Sequence, residues 1–283
     1  MTVYVFPGQG SQKVSMGQDL FDKFSSLTQE ANDVLGYDIK TLCLEDPAKQ
    51  LNQTQFTQPA LYVVNALSYL KQLDEDGLTP DYVAGHSLGE YNALFAAKVF
   101  DFAKGLKLVQ KRGELMSQAT MGGMAAILGL SQSQVADVLA QPSCQSINIA
   151  NYNSNFQFVI SGPKTDIEQS ISLFEQAGAS MVIPLNVSGA FHSPLMANAR
   201  EQFSDFLTAF QFNAPSMPVI ANTTARPYGG SDDVASQLSA QITSSVQWTS
   251  IIDYLVQMGE TEFVEVGPGK VLTGLIRRIR NHQ

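Results

Sequence analysis

Apolar residues along the chain follow two periods. Thr2-Val-Tyr-Val-Phe6 strings β-branched and aromatic residues together and runs into Pro7-Gly-Gln-Gly-Ser11, which predicts a short buried strand ending in a glycine turn. A helix is expected from about Met16. Between Gln58 and Leu73 the apolar positions Ala60, Leu61, Val64, Leu67 and Leu70 return at helical spacing, and Asp81 to Ala84 reads as another short strand before a glycine. Leu88 to Ala97 predicts a compact alanine-rich helix and Asp101 to Met116 a further one. Strand, turn and helix alternate, the rhythm of an α/β sheet.

The rhythm changes at Gly123. Met124 to Leu130 predicts a strand, Ser131 to Ala140 a helix, and Ser146 to Asn151 a strand. Phe156 to Ser161 predicts another strand, Lys164 to Ala177 a helix, and Ser180 to Leu185 a last strand. The order β-α-β-β-α-β is that of a ferredoxin-like unit, so residues 123–188 are expected to form an inserted small subdomain, with 1–122 and 189–283 building one large domain. The second segment predicts helices around Pro194 to Phe210 and Asp233 to Gln241, a strand at Thr261 to Val266 and a final helix from Val271.

Composition narrows the function classes. The 283 residues are 44% hydrophobic and 15% charged, a globular balance with room for a sizeable core. The net charge of −9 argues against nucleic acid as a partner, because phosphate binding needs a large basic surface. The apolar run Val3 to Pro7 is too short for a signal peptide, and no segment approaches bilayer-spanning length, so neither secretion nor a membrane is expected. Cys43 and Cys144 fit no metal or redox spacing and read as buried thiols in a reducing cytoplasm.

The sharpest chemical signal is Gly85-His-Ser-Leu-Gly89, which fits the nucleophile elbow: serine on a tight strand-to-helix turn, flanked by glycines that let neighbouring backbone pass closely. Ser87 would lie at a helix N-terminus, whose N–H groups favour a developing oxyanion. Serine needs a base, usually histidine. The chain has three: His86 is adjacent to Ser87, and His282 is one residue from the end. His192, in the loop Ser188-Gly-Ala-Phe-His-Ser193, remains. No aspartate or glutamate stands in a diagnostic position to orient it.

Several stretches in register carry a family resemblance. Phe6-Pro-Gly-Gln-Gly-Ser-Gln12, Thr57-Gln-Pro-Ala60, Gly85-His-Ser-Leu-Gly-Glu90, Gln110-Lys-Arg-Gly113, Gly189-Ala-Phe-His192 and Glu265-Val-Gly-Pro-Gly-Lys270 resemble malonyl-coenzyme A:acyl carrier protein transacylases of fatty-acid and polyketide synthesis. The resemblance implies an α/β-hydrolase-like large domain with the ferredoxin-like insert and a site in the cleft between them. It also implies malonyl transfer from coenzyme A, through a malonyl ester on Ser87 with His192 as base, to the phosphopantetheine thiol of an acyl carrier protein. No cofactor or metal is implied, because the phosphopantetheine belongs to the partner. The oxyanion hole would be the backbone N–H groups of Leu88 and Gln9, and the backbone carbonyl of Gln241 would orient His192.

By the same resemblance Arg112 would pair with the free malonyl carboxylate, which a planar guanidinium matches bidentately. Phe191 would leave little room for an α-methyl branch, and Gln58 and Asn153 would line the cleft. Lys270, Arg277 and Arg278, a basic exception in an acidic chain, become candidates for docking the acidic carrier protein. The sequence ends soon after this helix, sooner than many fatty-acid members, which favours a free-standing polyketide-type enzyme. The rivals are an acyl hydrolase of the same fold, passing the acyl group to water, and a non-catalytic relative that only binds carrier protein.

Overall fold

The N-terminal strand is β1 (Thr2–Phe6), and its alternation sorts the core. Val3 and Val5 turn into one apolar cluster, while Tyr4 and Phe6 turn into another on the opposite face. A strand buried on both faces is the environment that parallel sheets require. The computed structural model describes residues 2–187 and 189–282, without the side chains of Asp76 and Asp232.

Beside β1 lie β2 (Tyr82–Gly85) and β8 (Glu262–Glu265), with β7 (Val219–Ile220) outside β2; the four are parallel in the order β7-β2-β1-β8. The helices before the second sheet are α1 (Ser25–Leu35), α2 (Ile39–Leu44), α3 (Thr54–Asp76), α4 (Gly89–Ala96) and α5 (Phe102–Ser117). The intervening segment holds β3 (Gly122–Leu128), α6 (Gln132–Leu139), β4 (Asn148–Ser154), β5 (Gln157–Pro163), α7 (Lys164–Gln176) and β6 (Met181–Pro184). Its strands form an antiparallel sheet ordered β4-β5-β3-β6. Ala125, Ile127, Phe158 and Ile160 pack against Val135, Val138, Ile167 and Phe174 of α6 and α7. Met124, Ala126 and Val159, on the other face, join the large core. The chain closes with α8 (Ala197–Leu207), α9 (Ser231–Gln241), α10 (Trp248–Gln257) and α11 (Val271–Arg280).

The two sheets are tied together along β4. Val246 N donates to Ala150 O at 2.8 Å and Tyr152 N to Val246 O at 3.0 Å. Thr249 Oγ1 adds a bond to Tyr152 O at 3.0 Å.

Three differences from expectation have local causes. No helix starts at Met16: residues 14–24 form successive turns, because Ser15 and Gly17 take φ of +71° and +74°, which a right-handed helix cannot contain. The hydrogen bonds there alternate between spans, Leu20 N to Gly17 O over three residues and Phe24 N to Leu20 O over four. α10 was not anticipated, although Trp248, Ile251, Ile252 and Leu255 form a buried stripe at helical spacing. β7 and α2 are too short for periodicity to reveal. The expected domain boundary at Ser188 lies outside the described residues.

Candidate active site

β2 runs out at Gly85 and α4 begins at Gly89, leaving Ser87 on the turn between them with φ of +51°. A non-glycine residue enters that region at a cost and stays only where its surroundings over-determine it. Missing side chains permit the turn: a Cβ on Gly85 would lie 1.9 Å from the carbonyl carbon of Gly89, and one on Gly89 would lie 2.0 Å from Phe6 O. Asn222, just beyond β7, then clamps it. Its Oδ1 accepts from Ser87 N at 2.7 Å and its Nδ2 donates to Gly85 O at 2.6 Å.

His192 also takes a left-handed φ, +57°, and is buried. Its Nδ1 faces two carbonyl oxygens, Gln241 O at 2.8 Å and Ser244 O at 3.1 Å. Only an N–H satisfies two acceptors, so Nδ1 carries the proton and the neutral ring presents Nε2 as an acceptor. Nε2 lies 2.8 Å from Ser87 Oγ. Burial first, and the charge of Arg112 second, lower the pKa of His192 to about 3, outweighing the two carbonyl bonds. At neutral pH it is an unprotonated base.

Arg112, on α5, is 1% exposed. Its Nη1 donates to Gln58 Oε1 at 2.7 Å, and its Nη2 donates to Ser87 Oγ at 3.0 Å and to Gln241 Oε1 at 2.9 Å. Among the described residues no carboxylate forms an ion pair with it. A buried guanidinium held only by neutral oxygens beside Ser87 has the charge and geometry to pair with an anion. Ser87 Oγ thus accepts from Arg112 and gives its own hydrogen to His192.

Ser87, His192, Arg112 and Gln58 line a cavity of about 100 Å³, together with Gln9, Leu88, Phe191, Met116 and Met124. Gln9 Nε2 donates to Thr54 Oγ1 at 3.3 Å, and Asn65, buried in α3, anchors the start of the same turn by donating to Pro7 O at 2.9 Å. A second cavity of about 540 Å³ opens next to the first, lined by Gln9, His86, Asn153, Val271 and Leu275. Asn153 faces His86 rather than Ser87, with its Oδ1 2.8 Å from His86 Nε2.

The basic residues of the last helix stand apart. Lys270, Arg277 and Arg278 are exposed. Arg278 of α11 donates to Gln157 of β5, which lines the larger cavity, and Arg277 lines a separate groove with Thr261 and Phe263.

Sequence reasoning passed over three groups. Glu90, three residues after Ser87, is 1% exposed, and its oxygens accept from Asn222 N at 3.1 Å, Tyr228 Oη at 2.7 Å and Gln241 Nε2. Burial raises its pKa to about 7 against the pull of those bonds and of Arg112. A lone acid inside an alanine-rich, buried helix was a legible signal. Asn222 and Tyr228 carried none.

Known proteins match this chain over its whole length. The acyl transferase domain profile matches residues 3–281. A polyketide biosynthesis malonyl CoA-acyl carrier protein transacylase of Bacillus subtilis is 58% identical over 99% of this chain and 97% of its own length. The crystal structure of a malonyl CoA-acyl carrier protein transacylase from Burkholderia pseudomallei superposes with a TM-score of 0.96 at 48% identity, covering 100% of this chain and 99% of that one. A malonyl-transacylase solved in complex with its type II polyketide acyl-carrier protein gives a TM-score of 0.94 at 35% identity, over 99% of this chain and 93% of that one. With likeness of this depth running from end to end, the chain belongs to the acyl transferase domain family, among the malonyl CoA-acyl carrier protein transacylases.

Proposed function

We propose that the protein transfers a malonyl group from malonyl-coenzyme A to the phosphopantetheine thiol of an acyl carrier protein, through an ester on Ser87. The observation that carries this reading is Arg112, a buried guanidinium without a carboxylate partner, 3.0 Å from the nucleophile. An acyl group bearing its own carboxylate supplies the missing partner. A neutral acetyl group leaves it unmet, and an unpaired buried charge costs on the order of 3 to 5 kcal/mol.

In the first half-reaction Ser87 Oγ attacks the thioester carbonyl carbon while its proton passes to His192 Nε2. The carbon–sulfur bond then breaks, and the proton leaves with the coenzyme A thiol. Backbone N–H groups of Leu88 and Gln9 are the proposed oxyanion donors, each typically worth roughly 3 to 4 kcal/mol in such sites. In the second half the carrier thiol gives its proton to His192 and its sulfur attacks the ester carbonyl; the ester carbon–oxygen bond breaks, and Ser87 Oγ takes the proton back from His192. Pairing of Arg112 with malonate removes one of the charges that depress His192, so substrate binding itself strengthens the base. Gln241 has two roles here: its carbonyl orients His192, and its side chain aligns Arg112. The larger cavity is the proposed route for the pantetheine arm, with Asn153 and His86 in its wall. Phe191 narrows the acyl end, and Lys270, Arg277 and Arg278 are carried as separate contacts for the carrier protein.

The same reading assigns residues 123–188 to a ferredoxin-like insert and the remainder to an α/β-hydrolase-like domain. The element order from β3 to β6 and the sheet order β4-β5-β3-β6 support it. Two relatives at 58% identity are named as polyketide biosynthesis transacylases, which favours that pathway. The proposed setting is the cytoplasm: Cys43 and Cys144 are free and buried, and among the described residues no helix is long and apolar enough to cross a membrane.

Intact-protein mass spectrometry tests the reaction. Malonyl-coenzyme A should add one malonyl group to the protein, and apo-free carrier protein bearing phosphopantetheine should remove it and gain the same mass. Release of free malonate in place of an adduct would favour the hydrolase, and no reaction at all the binding role.

A further inference from the structure

We propose that Glu90, acting as a carboxylate, is a positioning residue for malonyl transfer: through Gln241 it sets the direction of Arg112, and through Asn222 it holds the backbone of Ser87. This rests on the function proposed above and concerns the same site. Glu90 itself does not line the cavity that contains Ser87.

The geometry works by exclusion of hydrogens. All three groups that meet Glu90 are donors: Asn222 N, Tyr228 Oη and Gln241 Nε2. An ionised carboxylate only accepts, so it fixes the Gln241 amide with its nitrogen inward, where it also donates to Ser87 O at 2.9 Å. The amide oxygen is thereby left facing Arg112 Nη2. With the amide turned the other way, an NH₂ would meet the guanidinium, donor against donor. The second arm is shorter. Asn222 uses its backbone N–H on Glu90 and its side chain on Ser87 N and Gly85 O, so the carboxylate anchors the residue that clamps the elbow.

A proton on Glu90 adds a hydrogen to a place already filled with hydrogens. The groups that face it are Arg112 from α5, Tyr228 and Asn222 from the segment after β7, and Gln241 from α9, and of these only Arg112 carries charge. Burial places the titration of Glu90 near neutrality, about 7, whereas His192 sits near 3. An acid limb near neutral pH therefore belongs to Glu90 and not to the base.

The test measures kcat/KM for acylation of Ser87 between pH 5.5 and 8.5, using the malonyl and acetyl thioesters of N-acetylcysteamine, which lack the titrating phosphates of coenzyme A. The wild type should lose malonyl transfer as pH falls through about 7, following the free enzyme's group. Glu90→Gln should abolish that limb and lower malonyl transfer at high pH by about 10- to 100-fold, the loss of a hydrogen bond to a charged group, with a smaller effect on acetyl. Tyr228→Phe removes one donor without touching Gln241, so its limb should move to higher pH while the plateau is kept. It also keeps the test decisive if Glu90→Gln fails to fold, which thermal melting reports. A wild-type limb that persists unmoved in both variants, or its absence from the wild type, overturns the role of Glu90 while malonyl-Ser87 still forms. Absence of malonyl-Ser87 in the wild type instead overturns the proposed function.

Discussion

Arg112 and the arginines of α11 carry the same guanidinium in opposite surroundings. Arg112 is 1% exposed and bonds Gln58, Ser87 and Gln241, the last two of which also meet His192. Arg277 and Arg278 stand in solvent. A charge in water is screened and exchanges one hydration shell for another, so an exposed contact is worth about 0 to 1 kcal/mol. A buried charge has no such reserve, and whatever fails to pair with it is excluded. Selectivity is therefore expected to reside in the interior, and carrier docking to be spread thinly over the surface.

The contrast can be broken at several depths. Ser87→Ala removes the ester-forming atom and should lower transfer by about four to six orders of magnitude, with no malonyl adduct in the intact mass. Arg112→Ala should leave an enzyme that still acylates Ser87 but whose preference for malonyl over acetyl falls by about 100-fold or more, read as the ratio of the two kcat/KM values. A surface-like role for Arg112 would leave that ratio alone.

His192 offers a stability test of the interior. Its folded pKa of about 3 lies below the unfolded value of about 6.5, so the unfolded chain binds the extra proton and stability falls as pH drops from about 6.5 towards 3. His192→Gln should lose less stability over that window, by a few kcal/mol in urea titrations at pH 7 and pH 4. Phe191→Ala should enlarge the acyl pocket and raise methylmalonyl transfer relative to malonyl by about tenfold, in line with about 1 to 3 kcal/mol for a methyl-sized difference. The smallest effect belongs to the surface. Arg277→Ala or Arg278→Ala should raise KM for the carrier protein less than about fivefold, an effect that fades at high salt, with kcat/KM towards a small malonyl thioester unchanged.

Much of the molecule was legible from residue order because its causes are local. The apolar run of Thr2–Phe6, the helical spacing of apolar residues from Ala60 to Leu70 and the strand-helix order from β3 to β6 are set by side chains a few residues apart. The elbow was legible for the same reason: Gly85 and Gly89 have no room for a Cβ, so the spacing itself reports the turn. His192 followed from a shortage of histidines. The helix expected from Met16 failed because dihedrals at Ser15 and Gly17 answer to packing, which no periodicity records.

What the sequence determined by itself is the serine-bearing turn and the mixed α/β class of fold, since these follow from steric limits and hydrophobic spacing within short segments. Only the tertiary structure decided how that serine is governed. Gln241 meets Arg112 across 129 residues, Asn222 meets Ser87 across 135, and Tyr228 meets Glu90 across 138. Those partners are uncharged, so nothing in their composition advertises them. They are brought within hydrogen-bond reach only because β7 pairs with β2 and the chain after it folds back over the elbow, where burial from water turns ordinary amide and hydroxyl groups into determinants of charge and proton position.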